Sequence, residues 1–128
     1  MAKIEGKCKE VLDKAEVVAI ATSGSDGPHI AATWGDYVRT LRPEDGETIV
    51  IPVAGYRATE RNLVANGKIE LIMGTRQVEG GRGPGKGCRI KGTGQIQTSG
   101  KLFESAKNKF SWARGVMVIN IEEVHGQL

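Results

Sequence analysis

Apolar residues recur along the chain with two different periods. Ile4, Cys8, Val11 and Leu12 stand at i, i+4, i+7 and i+8, one stripe of a helix over residues 4–14. The period then changes. Val17 to Thr22 is a continuous β-branched and apolar run that reads as a strand buried on both faces. Ser23 to Pro28 is a turn cluster with Asp26-Gly27 as its hairpin signal, and His29 to Trp34 is the returning strand. Tyr37 to Leu41 alternates and predicts a third strand, followed by a loop around Pro43. Thr48 to Val53 predicts a strand whose Pro52 belongs at its end or on a sheet edge.

Arg57 to Asn66 predicts a helix with Leu63 and Val64 facing inward and Asn66-Gly67 as its stop. Ile69 to Met73 is a strand, Glu79 to Gly87 a glycine-rich loop, and Cys88 to Thr98 a long polar strand interrupted by Gly92 and Gly94. Residues 101–110 are helical, with Leu102, Phe103, Ala106 and Phe110 on one side as core, and Gly115 to Ile121 forms the last strand. Seven strand-like segments with local hairpins and three helices favour a mainly β fold. The expected architecture is an antiparallel sheet curled into a barrel with helices at its margins, not a doubly wound parallel sheet.

Length and composition narrow the class. At 128 residues the chain is one domain, 1–128, with 39% hydrophobic and 26% charged residues. No apolar run is long enough to span a bilayer, and the first residues carry no apolar leader stretch. The expectation is a soluble cytoplasmic protein without a membrane partner. The net charge of +3 is mild and no long basic run carries it, which argues against nucleic acid and suits a small anionic ligand. Cys8 and Cys88 lack a CxxC or histidine partner and read as two reduced thiols.

Three segments carry candidate chemistry. Gly80 to Gly87 nearly matches a phosphate-binding GxxxxGK[ST] loop, but position 87 is Gly and a strand follows, which excludes nucleotide hydrolysis of that type. Val53-Ala54-Gly55-Tyr56-Arg57-Ala58-Thr59 runs from a strand through a glycine into a helix, whose N-terminal N–H groups attract anions. Thr59 can cap that helix or donate to a phosphate, and Arg57 and Arg61 can add charge-assisted bonds. Spacing alone does not separate this from an ordinary capped surface helix. Trp34, Tyr37 and Trp112 lie at element ends, where they serve as core plugs, interface residues or the walls of a flat aromatic ligand's site. His29 and His125 are too far apart in sequence to suggest a metal pair, and no acid–base motif is present.

Taken in order, Val17 to Thr22, Asp26 to His29, Thr33-Trp34, Ile49 to Val53, Thr59-Glu60 with Asn62, Gly83-Pro84-Gly85, and Phe110 with Trp112-Ala113-Arg114 carry a resemblance over nearly the whole chain. The chain resembles the FMN-binding split-barrel family that includes pyridoxamine 5'-phosphate oxidase and the small FMN-binding proteins of sulfate-reducing bacteria. The resemblance implies a six-stranded antiparallel split barrel, a homodimer, and one non-covalent FMN per subunit near the dimer interface. It implies phosphate contacts from Thr33 and from Arg57, Ala58 and Thr59, with Val53 and Gly55 also touching the cofactor. Trp34, Tyr37 and Trp112 would lie by the flavin ring, with the partner's Leu128 over it, and Thr75 and Arg76 would approach the cofactor from a strand end. The family pattern has Lys where this chain has Ala58 and Asn where it has Ala32.

The implied function is that of an FMN-binding flavoprotein in electron transfer, or an FMN-dependent oxidoreductase. It would meet a redox partner protein or a small-molecule electron donor or acceptor, with no catalytic residue from the protein and no metal. The alternative is a split barrel that binds another flavin-like or haem ligand without turnover.

Overall fold

The computed structural model describes residues 2–128. Its elements run α1 (Gly6–Lys14), β1 (Val17–Gly24), β2 (Gly27–Trp34), α2 (Gly35–Thr40), β3 (Thr48–Val53), α3 (Arg57–Asn66), β4 (Lys68–Gly80), β5 (Gly83–Gln97), α4 (Lys101–Lys109) and β6 (Gly115–Gln127). The strands form one sheet in the order β2-β1-β4-β5-β6-β3, with each neighbouring pair antiparallel. The sheet curls around a core built from alternate residues: Val18 and Ile20 of β1, Ile49 and Ile51 of β3, Leu71 of β4, Ile90 of β5, and Met117 and Ile119 of β6. Val11 and Leu12 of α1, both fully buried, join the same core. Each such side chain contributes about 1.5–3 kcal/mol by leaving water.

A second, smaller cluster lies on the other face of β3 and β6. There Ala106, Leu102 and Phe103 of α4 pack on Val50, Val116 and Val118. β3 is therefore buried on both faces, which explains its unbroken apolar run. β2 and β3 are the two edges of the sheet, so Pro52 lies on an edge strand, where its missing N–H costs no inner ladder bond.

Several expectations are corrected. Tyr37 to Leu41 is not a strand; α2 occupies that segment. Five alternating residues do not distinguish the two periods, and Gly35 decides the matter. Its N–H donates to the Glu16 carbonyl at 2.8 Å, and a Cβ there would collide with the Ala15 carbonyl. Arg39 then donates to the Leu12 and Ala15 carbonyls at 2.9 and 2.7 Å, satisfying the end of α1. Six strands therefore replace the seven read from periodicity.

The glycine-rich segment 79–87 is not an irregular loop. β4 and β5 continue into it and pair Glu79 with Pro84 and Gly80 with Gly83, leaving a two-residue turn at Gly81-Arg82. Glycine is required there because a Cβ on Gly80 would strike the Gly85 carbonyl. β1 alternates instead of being buried twice: Val18, Ile20 and Thr22 face the core while Val17 and Ala21 are exposed. Val64 also faces outward, at 85% exposure.

Candidate functional site

A cavity of about 360 Å³ opens where the two edge strands of the curled sheet approach each other without pairing. Ala32, Thr33 and Trp34 line it from β2, Pro52 from β3, and Ala54 and Tyr56 from the β3–α3 junction. Val17, Tyr37 and Trp112 complete the wall. Tyr37, Phe110 and Trp112 stack as a tilted trio with centroid separations of 4.8, 5.7 and 5.4 Å. Phe110 follows α4 and belongs to this trio, not to a helical core stripe. Trp34 remains 51% and Trp112 45% exposed, so the aromatic wall is open to a ligand.

The junction beside the cavity has an unusual backbone. Tyr56 holds the left-handed conformation, φ 61° and ψ 34°, as the N-cap of α3. Such a conformation is costly for a bulky residue and persists where surrounding contacts fix it. One contact is visible: the Tyr56 phenol donates to the Ala32 carbonyl at 2.6 Å. Burial pushes that phenol above its ordinary pKa, a hydrogen bond with Thr33 lowers it in part, and the neighbouring Tyr37 adds a small upward push.

No side chain caps α3, so its first N–H groups have no such partner. Thr59, in its first turn, is fully buried, and its Oγ1 makes no hydrogen bond among the described residues. A buried hydroxyl without a partner is costly, by about 1–3 kcal/mol.

Arg114 fixes the junction from the other side. Its Nε donates to the Ala54 carbonyl and its Nη2 to the Gly55 carbonyl, both at 2.7 Å, while Nη2 also reaches Glu60 Oε1 at 2.9 Å. Its own backbone N–H donates to the carbonyl of buried Val53 at 2.8 Å. Arg57 extends into solvent and comes only within 3.9 Å of Glu60. Ala58 is half-buried, and Arg61 is exposed.

The expected site residues thus fall into two groups. Thr33, Trp34, Tyr37 and Trp112 share the cavity, with Val53, Gly55, Arg57, Ala58 and Thr59 in the adjoining segment. Thr75, Arg76 and Leu128 line a separate groove of about 400 Å³ under the β4–β5 turn, together with Arg82 and Lys86. There the Gly81 N–H donates to the Leu128 carbonyl at 3.0 Å, and Arg76 donates to the Pro84 carbonyl at 3.0 Å.

The sequence matches the family model described as pyridoxamine 5'-phosphate oxidase over residues 4–128. The chain belongs to the pyridoxamine 5'-phosphate oxidase family. Within reach of this family, it is 42% identical over 118 residues to the FMN-binding protein of Nitratidesulfovibrio vulgaris (strain DSM 19637 / Miyazaki F), covering 92% of this chain and 93% of that one. Among solved structures it is similar to a histidine-to-alanine variant of HupZ from Group A Streptococcus, with TM-score 0.76 and 26% identity over 97% of this chain and 99% of that one. A family protein from Lactobacillus delbrueckii superposes with TM-score 0.69 over 98% of this chain and 99% of that one; at 18% identity it supports the fold alone. The six-stranded sheet with flanking helices is the split barrel of the family.

Periodicity and motif reading missed Arg114, Tyr56 and Pro52 as parts of this site. Arg114 appeared only inside the Trp112-Ala113-Arg114 match, and nothing in the sequence signals its reach to Ala54 and Gly55, about sixty positions away. The left-handed turn at Tyr56 has no glycine or asparagine to announce it. No helix among the described residues is long and apolar enough to cross a membrane.

Proposed function

We propose that this chain is an FMN-binding flavoprotein that acts in electron transfer or flavin-dependent oxidoreduction as a cytoplasmic homodimer. The observation that carries the reading is the pairing of an open aromatic cavity with an uncapped helix N-terminus that includes a buried, unpartnered threonine hydroxyl. The FMN-binding relative at 42% identity supports the same cofactor.

The residues present fit FMN. The first-turn N–H groups of α3, Thr59 Oγ1 and Thr33 would hold the phosphate, and Trp34, Tyr37 and Trp112 would hold the ring. FMN, when bound, supplies one- and two-electron chemistry through its flavin ring. Arg114 keeps the Ala54-Gly55 backbone in place, and its pairing with Glu60 neutralises a carboxylate that would repel a phosphate. Tyr56 keeps β2 and the α3 junction at a fixed separation. The electron donor or acceptor would be a protein or a small molecule.

Exposed apolar side chains favour the dimer. Val17 and Ile30, Trp34 and Ile72 lie on the outer face of β1, β2 and β4, where the pairs Val17–Trp34, Ala21–Ile30 and Ala19–Ile72 put them side by side. A second copy would cover this strip. The Leu128 carbonyl is held by Gly81 while the residue stays 78% exposed and offers its side chain to a neighbouring subunit, so that the partner's Leu128 would cover the ring. The two buried free thiols suit a reducing compartment.

The test is a visible absorption spectrum of the purified protein, repeated after excess FMN and desalting, with light scattering for the assembly state. Flavin bands that survive desalting on a dimer are expected. A colourless protein after both steps would overturn FMN as the ligand, and a flavin-bearing monomer would overturn the dimer.

A further inference from the structure

Two asparagines of α3 hold the β1–β2 hairpin. Asn62 Nδ2 donates to the hydroxyl oxygen of buried Thr22 at 3.1 Å, and Asn66 Nδ2 donates to the Ser23 carbonyl at 2.9 Å. Asn62 Oδ1 lies in the place where a Cβ on Gly24 would stand, so glycine at position 24 leaves room for the amide. Asparagine is a weak helix former, and Asn62 lies inside α3. Its tertiary contacts, not local preference, account for it.

With Tyr56, these side chains make three ties along the helix. Tyr56 bonds at the level of Ala32, which pairs with Ala19 of β1. Thr22 and Ser23 lie three and four residues further along β1. From Tyr56 to Asn62 the helix rises about 9 Å, against about 10 Å for three residues of strand. From Tyr56 to Asn66 it rises about 15 Å, against about 13 Å for four. α3 therefore runs alongside β1 in the same direction. Apolar burial alone would not set that register, because it is non-directional and Leu63 is the one large apolar side chain α3 buries.

We propose that Asn62 is a positioning residue for the phosphate end of the site: its grip on Thr22, over Gly24, sets where the first turn of α3 stands relative to Thr33 and Trp34 of β2.

The inference rests on the phosphate role given above to that first turn. Asn62 is one turn beyond Thr59 on the same helix face, so fixing one fixes the other. Thr22 pairs with His29 of β2, and the same strand continues to Thr33 and Trp34 in the cavity wall. The bond thus ties the phosphate end to the ring end through rigid elements. A slip of α3 along β1 would misplace the phosphate donors and leave the aromatic wall as it is. Riboflavin, which has the ring and lacks the phosphate, would not sense the slip.

The test titrates the purified full chain with FMN and with riboflavin, following flavin fluorescence. Wild type should prefer FMN. Asn62→Ala should cut that preference about tenfold, the scale of one hydrogen bond to a charged group, with riboflavin affinity held within about twofold. Gly24→Ala should do the same by pushing the Asn62 amide off Thr22, and should add nothing in the Asn62→Ala background. Should Asn62→Ala fail to fold, Gly24→Ala decides alone. An unchanged preference, an equal loss of both ligands, or an additive double variant would overturn the positioning role while the phosphate site stands. Wild type that binds FMN no tighter than riboflavin would overturn the phosphate site, and the positioning role with it.

Discussion

Tyr56 and Ala32 are joined across the seam of the barrel: the phenol donates to the carbonyl at 2.6 Å, linking the start of α3 to edge strand β2. No ladder connects β2 to β3, so this bond spans a gap that the sheet itself leaves open. Tyr56→Phe keeps the ring and removes only the bond. A net loss of about 1 kcal/mol is expected, lowering the melting temperature by roughly 4 °C. Thermal unfolding of the ligand-free protein checks this.

The same phenol sets an alkaline limit. An unfolded tyrosine titrates near 10.0, and burial raises the folded Tyr56 above that. Between those values the native state binds the extra proton, so stability falls as pH rises through this window and is fully retained below it. Cys88, also raised by burial, acts with the same sign. Denaturant unfolding at a series of alkaline pH values should show a steeper decline for the wild type than for Tyr56→Phe.

Thr59 separates apo stability from binding. Its hydroxyl is buried and unpartnered, so Thr59→Val should stabilise the ligand-free protein by about 1 kcal/mol, the low end of an unsatisfied group's cost. The same change removes a donor from the phosphate and should weaken FMN by roughly tenfold. Urea unfolding and FMN fluorescence titration together read the two opposite effects. Movement of both in one direction would count against the phosphate role.

Arg114→Gln breaks the fork to Ala54 and Gly55 and leaves Glu60 at the helix start with only the distant, solvent-exposed Arg57. FMN affinity should fall by about 10- to 100-fold, the scale of one charge-assisted hydrogen bond. Arg114→Lys should recover little of it, because an ammonium cannot reproduce the planar fork. FMN titration of the two variants measures both.

Ala58→Lys is the complementary gain. It places a cation at a half-buried position in the first turn of α3, beside the phosphate end of the site, and FMN should bind about tenfold tighter. The measurement is the same titration at low and high salt, with the gain shrinking as salt rises.

The barrel's strands were legible wherever one period ran long enough. β3 and α3 follow their apolar and capping signals, and the Asp26-Gly27 hairpin turns where its residues direct. α2 was not legible, since five alternating residues fit either period and the deciding contact lies between Gly35 and the end of α1. The exposed face of β1 was hidden because an apolar run reads the same whether its second side meets core or solvent. At the site, aromatic side chains at element ends were visible in the sequence. The left-handed Tyr56 and the reach of Arg114 depend on contacts between distant segments, which no local pattern encodes.

Both strands that border the seam carry a proline, Pro28 in β2 and Pro52 in β3. A proline has no N–H to offer a further strand, so each edge is a poor template for continued pairing. A seam zipped shut by new hydrogen bonds would erase the cavity, and one that recruited foreign strands would seed aggregates. These two imino acids keep the opening in the wall available to a ligand and closed to stray polypeptide.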